Sequence, residues 1–107
     1  MSSFDEREKG YEKKFERDQE LAFKAKARRN KLLGLWAAER MGLAGPAADA
    51  YARGIVEGEV RLHSDEDLVA QVLRDAGAKG VNLDAARVRA ELTRCHADAK
   101  KQLGISG

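Results

Sequence analysis

The adjacent residues Cys95 and His96 are the pair in this chain that most resembles a catalytic nucleophile and its base. Neighbouring residues on a helix point about 100° apart, so these two side chains are expected to diverge rather than meet. Cys95 also belongs to an apolar series with steps of three and four, which consists of Ala85, Val88, Leu92, Cys95, Ala99 and Leu103. This spacing predicts a buried thiol that packs as a small hydrophobe and has no catalytic role.

Three consecutive acids, Asp65, Glu66 and Asp67, could ligate a hard cation. Such an ion needs further oxygen ligands, and the sequence contains no loop of the calcium-binding kind. The same acids would stabilise the positive end of a helix dipole, and Ser64 before them is a typical N-cap. We therefore predict the start of a helix here and no metal site.

A run of bases without an intervening acid offers a third kind of chemistry, which is contact with phosphate groups or nucleic acid. The run consists of Lys24, Lys26, Arg28, Arg29 and Lys31. The formal net charge is only +2, from 20 Lys and Arg against 18 Asp and Glu, which gives little support to a general polyanion binder. We interpret the run mainly as the solvated outer face of a helix, with Arg28, Arg29 and Lys31 as candidates for a secondary contact with a partner.

The stretch that holds these bases, residues 21–40, has the apolar spacing of an amphipathic helix. Its apolar residues recur at steps of three, four and seven. Trp36, the single tryptophan, falls in the widest part of the stripe and is predicted to lie in the core. The helix should end near residues 41–42, where a glycine can adopt the left-handed cap.

Three shorter helices are predicted to follow. The second should begin at Pro46 and run to about Val60, because proline fits the first turn of a helix. Gly54 and Gly58 lie four apart in it and either allow a neighbouring helix to approach closely or weaken the helix. The third should follow Ser64, and the fourth should be capped by Asn82 or Asp84. The predicted inward faces of the second and third helices consist of Ala48, Tyr51, Ala52 and Ile55, and of Leu68, Val69, Val72, Leu73 and Ala76.

Residues 1–20 are mostly charged, with three aromatics, Phe4, Tyr11 and Phe15, at separations of seven and four. On a helix this spacing makes one narrow aromatic stripe. Gly10 weakens that helix by about 1 kcal/mol relative to alanine, so the segment is predicted to be only marginally stable alone. The spacing fits two interpretations equally: an arm that folds on a partner, or a first helix docked on the chain's own core.

Composition favours an all-α protein, because the chain is rich in alanine and leucine and has a single proline. We predict a four-helix bundle with a marginally stable N-terminal helical arm, divided into the arm at residues 1–20 and the bundle domain at residues 21–107. The sequence has no apolar run near the roughly 20 residues of a membrane span and no signal peptide, and one cysteine fits a reducing cytoplasm. Without a glycine-rich phosphate loop, paired cysteines or a His-x-x-x-His motif, we do not expect an enzyme.

Residues 4–39 closely resemble the zeta subunit of alphaproteobacterial F1Fo-ATP synthase, a family also classified as a domain of formerly unknown function. The most specific blocks are DEREKG at residues 5–10 and ARRNKLLGLWAAE at residues 27–39. The resemblance is strongest over residues 1–45. The C-terminal half is similar in layout more than in its individual residues.

The resemblance implies a four-helix bundle whose N-terminal segment, residues 2–19 in this sequence, inhibits ATP hydrolysis. In the family this segment enters an α/β interface of F1, against the γ subunit, and blocks rotation in the hydrolytic direction. The implied partners are therefore the α, β and γ subunits of F1, with no nucleic acid and with membrane contact only through the synthase; we expect a monomer when free. The residues implied at that interface are Phe4, Asp5, Glu6, Arg7, Glu8, Lys9, Tyr11, Glu12, Lys13, Lys14 and Phe15, the aromatics as apolar anchors.

Tyr11 departs from the family pattern, because phenylalanine is expected there and a buried hydroxyl needs a partner or water. Weak adenine-nucleotide binding is associated with the family, but without a phosphate loop we assign no residue to it and predict no cofactor. Two alternatives remain open at this point. The chain could be a structural or assembly subunit that does not inhibit, or a helical module that binds nucleic acid through its basic run.

Overall fold

A computed structural model of the chain describes the backbone of residues 2–58 and 64–104 and the side chains of residues 18–58 and 64–104. These ranges contain four α-helices: α1 at Ser2–Arg40, α2 at Pro46–Glu57, α3 at Asp65–Ala78 and α4 at Ala85–Gln102. The described ranges contain no strand. The prediction of an all-α, four-helix bundle is therefore confirmed.

Helix α1 is much longer than the other three and continues without a break through Gly10. Its 39 residues correspond to about 58 Å of helix at 1.5 Å per residue, against a long dimension of 66 Å for the molecule. The central helix predicted at residues 21–40 is thus the second half of a helix that begins at Ser2.

The C-terminus of α1 forms where the sequence predicts it. The N–H of Leu43 donates to the carbonyl of Ala38 at 2.9 Å, and the N–H of Gly42 donates to the carbonyl of Glu39 at 3.1 Å. Gly42 has a φ of 81°, which is the left-handed conformation that this pair of hydrogen bonds requires.

The shorter helices also begin as predicted. Ser64 caps α3, since its hydroxyl accepts a hydrogen bond from the N–H of Asp67 at 3.2 Å. Of the two candidates for α4, the cap is Asp84, whose carboxylate accepts from the N–H of Ala86 at 3.1 Å. Helix α2 ends at Glu57 with Gly58 as its C-cap, earlier than the predicted end near Val60, which lies outside the described residues.

The core lies between the second half of α1 and the three shorter helices. Helix α1 packs mainly against α2 and α4, and α3 packs against α4 and α1. Trp36 is 9% exposed, so its predicted place in the core is confirmed. The guanidinium groups of Arg40 and Arg87 lie 5.5 and 5.8 Å from the centre of its ring, at cation–π distance. The buried core residues are Leu33, Trp36, Ala37, Ile55, Leu68, Val69, Val72, Val88, Leu92 and Cys95.

Helices α1 and α2 approach each other closely at Gly34. A Cβ atom at Gly34 would lie 2.7 Å from the Cα and 3.1 Å from the Cβ of Ala52. Gly54 and Gly58 were the candidates for such a contact from their spacing, but a Cβ at either would meet no atom within 4 Å. The glycine that permits the close approach is therefore on α1.

Within residues 2–58 and 64–104, no helix combines the length and the apolar composition that crossing a membrane requires.

Replacing Gly34 with alanine is expected to lower the free energy of unfolding by about 1–3 kcal/mol, because the new methyl group would overlap the backbone of Ala52. Gly54→Ala is the matched control, because a Cβ at Gly54 would meet no other atom within 4 Å. This substitution should raise the free energy of unfolding by about 0.5–1 kcal/mol, since alanine has a higher helix propensity than glycine. Urea denaturation of both variants measures these changes. Changes of the same sign and size would contradict the close packing at Gly34.

Candidate functional site

The junction between the N-terminal part of α1 and the bundle is marked by a change from exposed to buried side chains. Asp18, Gln19 and Glu20 are exposed, and Leu21 is half-buried. Ala25, at 3% exposure, is the first buried residue of α1 among the described side chains. The described core therefore draws on α1 only from residue 25 onward.

A groove of about 500 Å³ lies between this part of α1 and α4. Its apolar lining comes from the first turns of α1 that touch the bundle, and its basic lining comes from both helices. A mixed, open surface of this kind suits contact with another macromolecule better than enclosure of a small ligand. The residues that line it are Asp18, Leu21, Ala22, Ala25, Lys26, Arg29, His96 and Lys100.

Phe23 is exposed at the same level of the helix. It precedes Ala25 by two residues, or about 200° around the helix, so it lies on a different side of α1 from the groove. Its exposure of 69% makes it the one large hydrophobic residue that is exposed in the part of the chain whose side chains are described. Phe23 is not among the site residues predicted from the sequence, although its place between Glu20 and Lys24, away from the apolar stripe, indicates an exposed aromatic side chain.

Arg29 is buried, which corrects its interpretation as part of a solvated outer face. The residue is 8% exposed. Its Nη1 and Nη2 atoms donate to the two carboxylate oxygens of Asp65 at 3.3 and 3.0 Å, and its Nε donates to the Oδ1 of Asn30 at 3.0 Å. This paired contact joins α1 to the first residue of α3, a role of Asp65 that the capping interpretation missed.

Arg28 and Lys31 are exposed, as predicted, but they face different helices. The Nη1 of Arg28 donates to the Oε1 of Gln102 on α4 at 3.0 Å. Lys31 instead lines a pocket with Asp49 and Arg53 of α2. The three candidates for a secondary contact, with Arg29 committed to α3, therefore do not form one basic patch.

Glu66 and Arg89 form a second ion pair between helices, from α3 to α4. The Nε and Nη2 atoms of Arg89 donate to the carboxylate of Glu66 at 2.9 and 3.0 Å. These hydrogen bonds hold the pKa of Glu66 below its usual range and raise the pKa of Arg89. Two of the three consecutive acids thus bind arginines of other helices, and the described residues contain no cluster of three or more His, Cys, Asp or Glu suited to a metal ion.

Cys95 and His96 diverge as the helical spacing predicts. Cys95 is 1% exposed, and burial raises the pKa of its thiol. His96 is exposed and lines the groove between α1 and α4. The buried Cys95 and the exposed His96 point to different sides of α4, and a buried thiol with a raised pKa is a poor nucleophile.

A second groove, of about 430 Å³, lies between α2 and α3, where Gly54 and Gly58 leave space. Beside it the hydroxyl of Tyr51 donates to the carboxylate of Asp75 at 2.8 Å, and the Nε2 of Gln71 donates to the same carboxylate at 2.9 Å. Burial raises the pKa of Tyr51, and the hydrogen bond to Asp75 raises it further by a smaller amount. Tyr51 is thus a neutral donor that links the two helices.

The predicted contact residues of the N-terminal segment lie on the helical backbone of α1, but their side chains lie outside the described part of the chain. They are Phe4, Asp5, Glu6, Arg7, Glu8, Lys9, Tyr11, Glu12, Lys13, Lys14 and Phe15. Their role stays a prediction.

Asp65→Asn is expected to lower the free energy of unfolding by about 1–2 kcal/mol, because the buried guanidinium of Arg29 loses its charged acceptor. Glu66→Gln is the matched control. It removes a carboxylate from the same turn of α3, but from a pair that is exposed on both sides, and so should have a smaller effect. Urea denaturation at neutral pH measures the free energy of unfolding of both variants. Equal losses of stability would contradict the anchoring role of Asp65.

Comparison with known proteins agrees with this architecture. A sequence model described as ATPase inhibitor subunit zeta matches residues 1–102. A solution NMR structure of a protein 44% identical in sequence superposes with a TM-score of 0.67 and covers 76% of this chain and 92% of that chain. No curated protein matches the chain. Because the family's model spans nearly all of the sequence, the chain belongs to the ATPase inhibitor subunit zeta family.

Proposed function

We propose that this chain is a regulatory subunit of a bacterial F1-ATPase that inhibits ATP hydrolysis with the N-terminal part of α1. Membership of the family supports an ATPase inhibitor role in general. The observation that carries the proposal for α1 is its length beyond the bundle. It is one continuous helix of 39 residues, and its buried residues, among the described side chains, begin only at Ala25.

The length difference between the helices supports an arm that reaches beyond the bundle. Helix α4, the longest of the other three, has 18 residues, which correspond to about 27 Å against about 58 Å for α1. Residues 2–19 alone correspond to about 27 Å of helix. A helix of this length is sufficient to enter a cleft between two protein subunits.

Inhibition by such an arm would be mechanical. The arm would enter an α/β catalytic interface of F1 beside the γ subunit and block rotation in the hydrolytic direction. Phe4, Tyr11 and Phe15 would be its apolar anchors, each contributing on the order of 2 kcal/mol when buried, offset by the cost of ordering the arm. No residue needs to do chemistry, so the mechanism requires no cofactor.

The bundle would act as the holder of the arm. The Arg29–Asp65 pair and the Arg28–Gln102 hydrogen bond connect α1, about two turns beyond the arm, to α3 and α4. A force on the arm would therefore be transmitted to α3 and α4. Such a subunit would be a monomer when free, would act on the cytoplasmic side, and would reach the membrane only through the synthase.

The double substitution Phe4→Ala with Phe15→Ala is expected to raise the concentration for half-inhibition of the cognate F1-ATPase about tenfold or more, because two anchors are lost. The thermal unfolding midpoint should change little, since the described core begins at Ala25. ATP hydrolysis assays and thermal unfolding of the same preparations measure both quantities.

Leu33→Ala is the control for a true core residue. Leu33 is fully buried, so its truncation should cost about 2–5 kcal/mol and lower the unfolding midpoint clearly. If the double aromatic variant lost as much stability as Leu33→Ala, the aromatics would belong to the protein's own core. If the chain bound F1 without changing hydrolysis, a structural or assembly role would replace the inhibitory one.

A further inference from the structure

The sequence Leu21-Ala22-Phe23 forms an apolar collar around α1 at the point where the helix meets the bundle. Successive residues lie about 100° apart, so the three positions extend over about 200° of the helix circumference. Leu21 is half-buried, whereas Ala22 and Phe23 are exposed. Polar residues precede the collar from Asp18 onward, and Lys24 follows it, so the collar interrupts an otherwise polar stretch of the helix.

One side of this collar borders the open groove between α1 and α4. Leu21 and Ala22 line the groove against α4, together with Ala25. Phe23, on a different side of α1, is 69% exposed and is the one large hydrophobic side chain so exposed in residues 18–58 and 64–104. Phe23 is not part of the described core.

The surroundings of Phe23 resemble the anchor of a protein interface. The exposed Glu20 and Lys24 bind each other at 3.2 Å within the same two turns of the helix, which provides a polar rim beside an apolar centre. Aromatic anchors within a polar rim are typical of binding hot spots. Phe23 follows Phe15 by eight residues, which is about 80° around the helix, so its position lies beside the aromatic stripe and not on it.

We infer that the collar, with Phe23 as its main contact, forms the base of the surface that binds the ATPase. The inference rests on the proposed function. Its occupant is an apolar patch of the ATPase that borders the cleft receiving the arm. Helix α1 is continuous from Ser2 to Arg40, so a partner that holds the helix up to residue 19 meets the collar one turn further on. The partner surface therefore extends beyond residues 1–20.

The test compares three full-length variants in the hydrolysis assay with the cognate F1-ATPase. Phe23→Gln removes the apolar surface at a helix-compatible position and should raise the half-inhibitory concentration about tenfold. Phe23→Leu keeps most of the apolar surface and should retain most of the inhibition. Thr93→Gln, which places the same residue on the exposed side of α4, should behave as the unchanged chain. All three should unfold within about 2 °C of the unchanged chain, since both positions are exposed.

The outcomes separate this inference from the proposed function. If the unchanged chain inhibits and Phe23→Gln inhibits equally well, the collar is not part of the interface and only the inference fails. If the unchanged chain does not inhibit, the proposed function and the inference fail together. If Phe23→Gln instead converts a dimer to a monomer in sedimentation experiments, the collar binds a second copy and the inference is wrong.

Discussion

The packing of the second half of α1 against the other three helices is the constraint on which the rest of the structure depends. Small residues make this packing close: Gly34 lies against the backbone of Ala52, and Ala25, Ala37 and Ala38 are buried. A helix fixed in this way has a fixed axis and register. The backbone of α1 continues without a break toward Ser2, so the direction of its N-terminal part follows from the packing of its second half.

Polar contacts fix how the packed helices are oriented relative to one another. Arg29 is buried, and its carboxylate partner, Asp65, lies at the start of another helix. The side chain of Arg29 is 10% exposed and that of Asp65 is 57% exposed, so it is mainly the guanidinium that loses hydration, and this cost offsets part of the Coulomb attraction. The geometric demands of such a pair are strict, so this pair can fix how α3 sits against α1 even where its net stabilisation is small.

The helices, their caps and most of the core could be predicted from the sequence because these features depend on local spacing. The stripe through Val88, Leu92, Cys95 and Ala99 has one helical period, and Ser64 precedes an acidic first turn. Contacts between distant residues could not be predicted in this way. Nothing near Arg29 in the sequence indicates that its partner lies 36 residues away. A glycine that lies against Ala52 also has the same local signature as Gly54, which faces open space.

The central claim is that the N-terminal part of α1 inhibits and that the bundle only holds it. Hydrolysis of ATP by the cognate F1-ATPase, with the full chain and with a chain lacking residues 1–19, tests this most directly. Circular dichroism should first show that the shortened chain keeps the helices of the bundle. We predict strong inhibition by the full chain and none by the shortened one. Equal inhibition by both would contradict the account, because the inhibitory surface would then lie on the bundle itself.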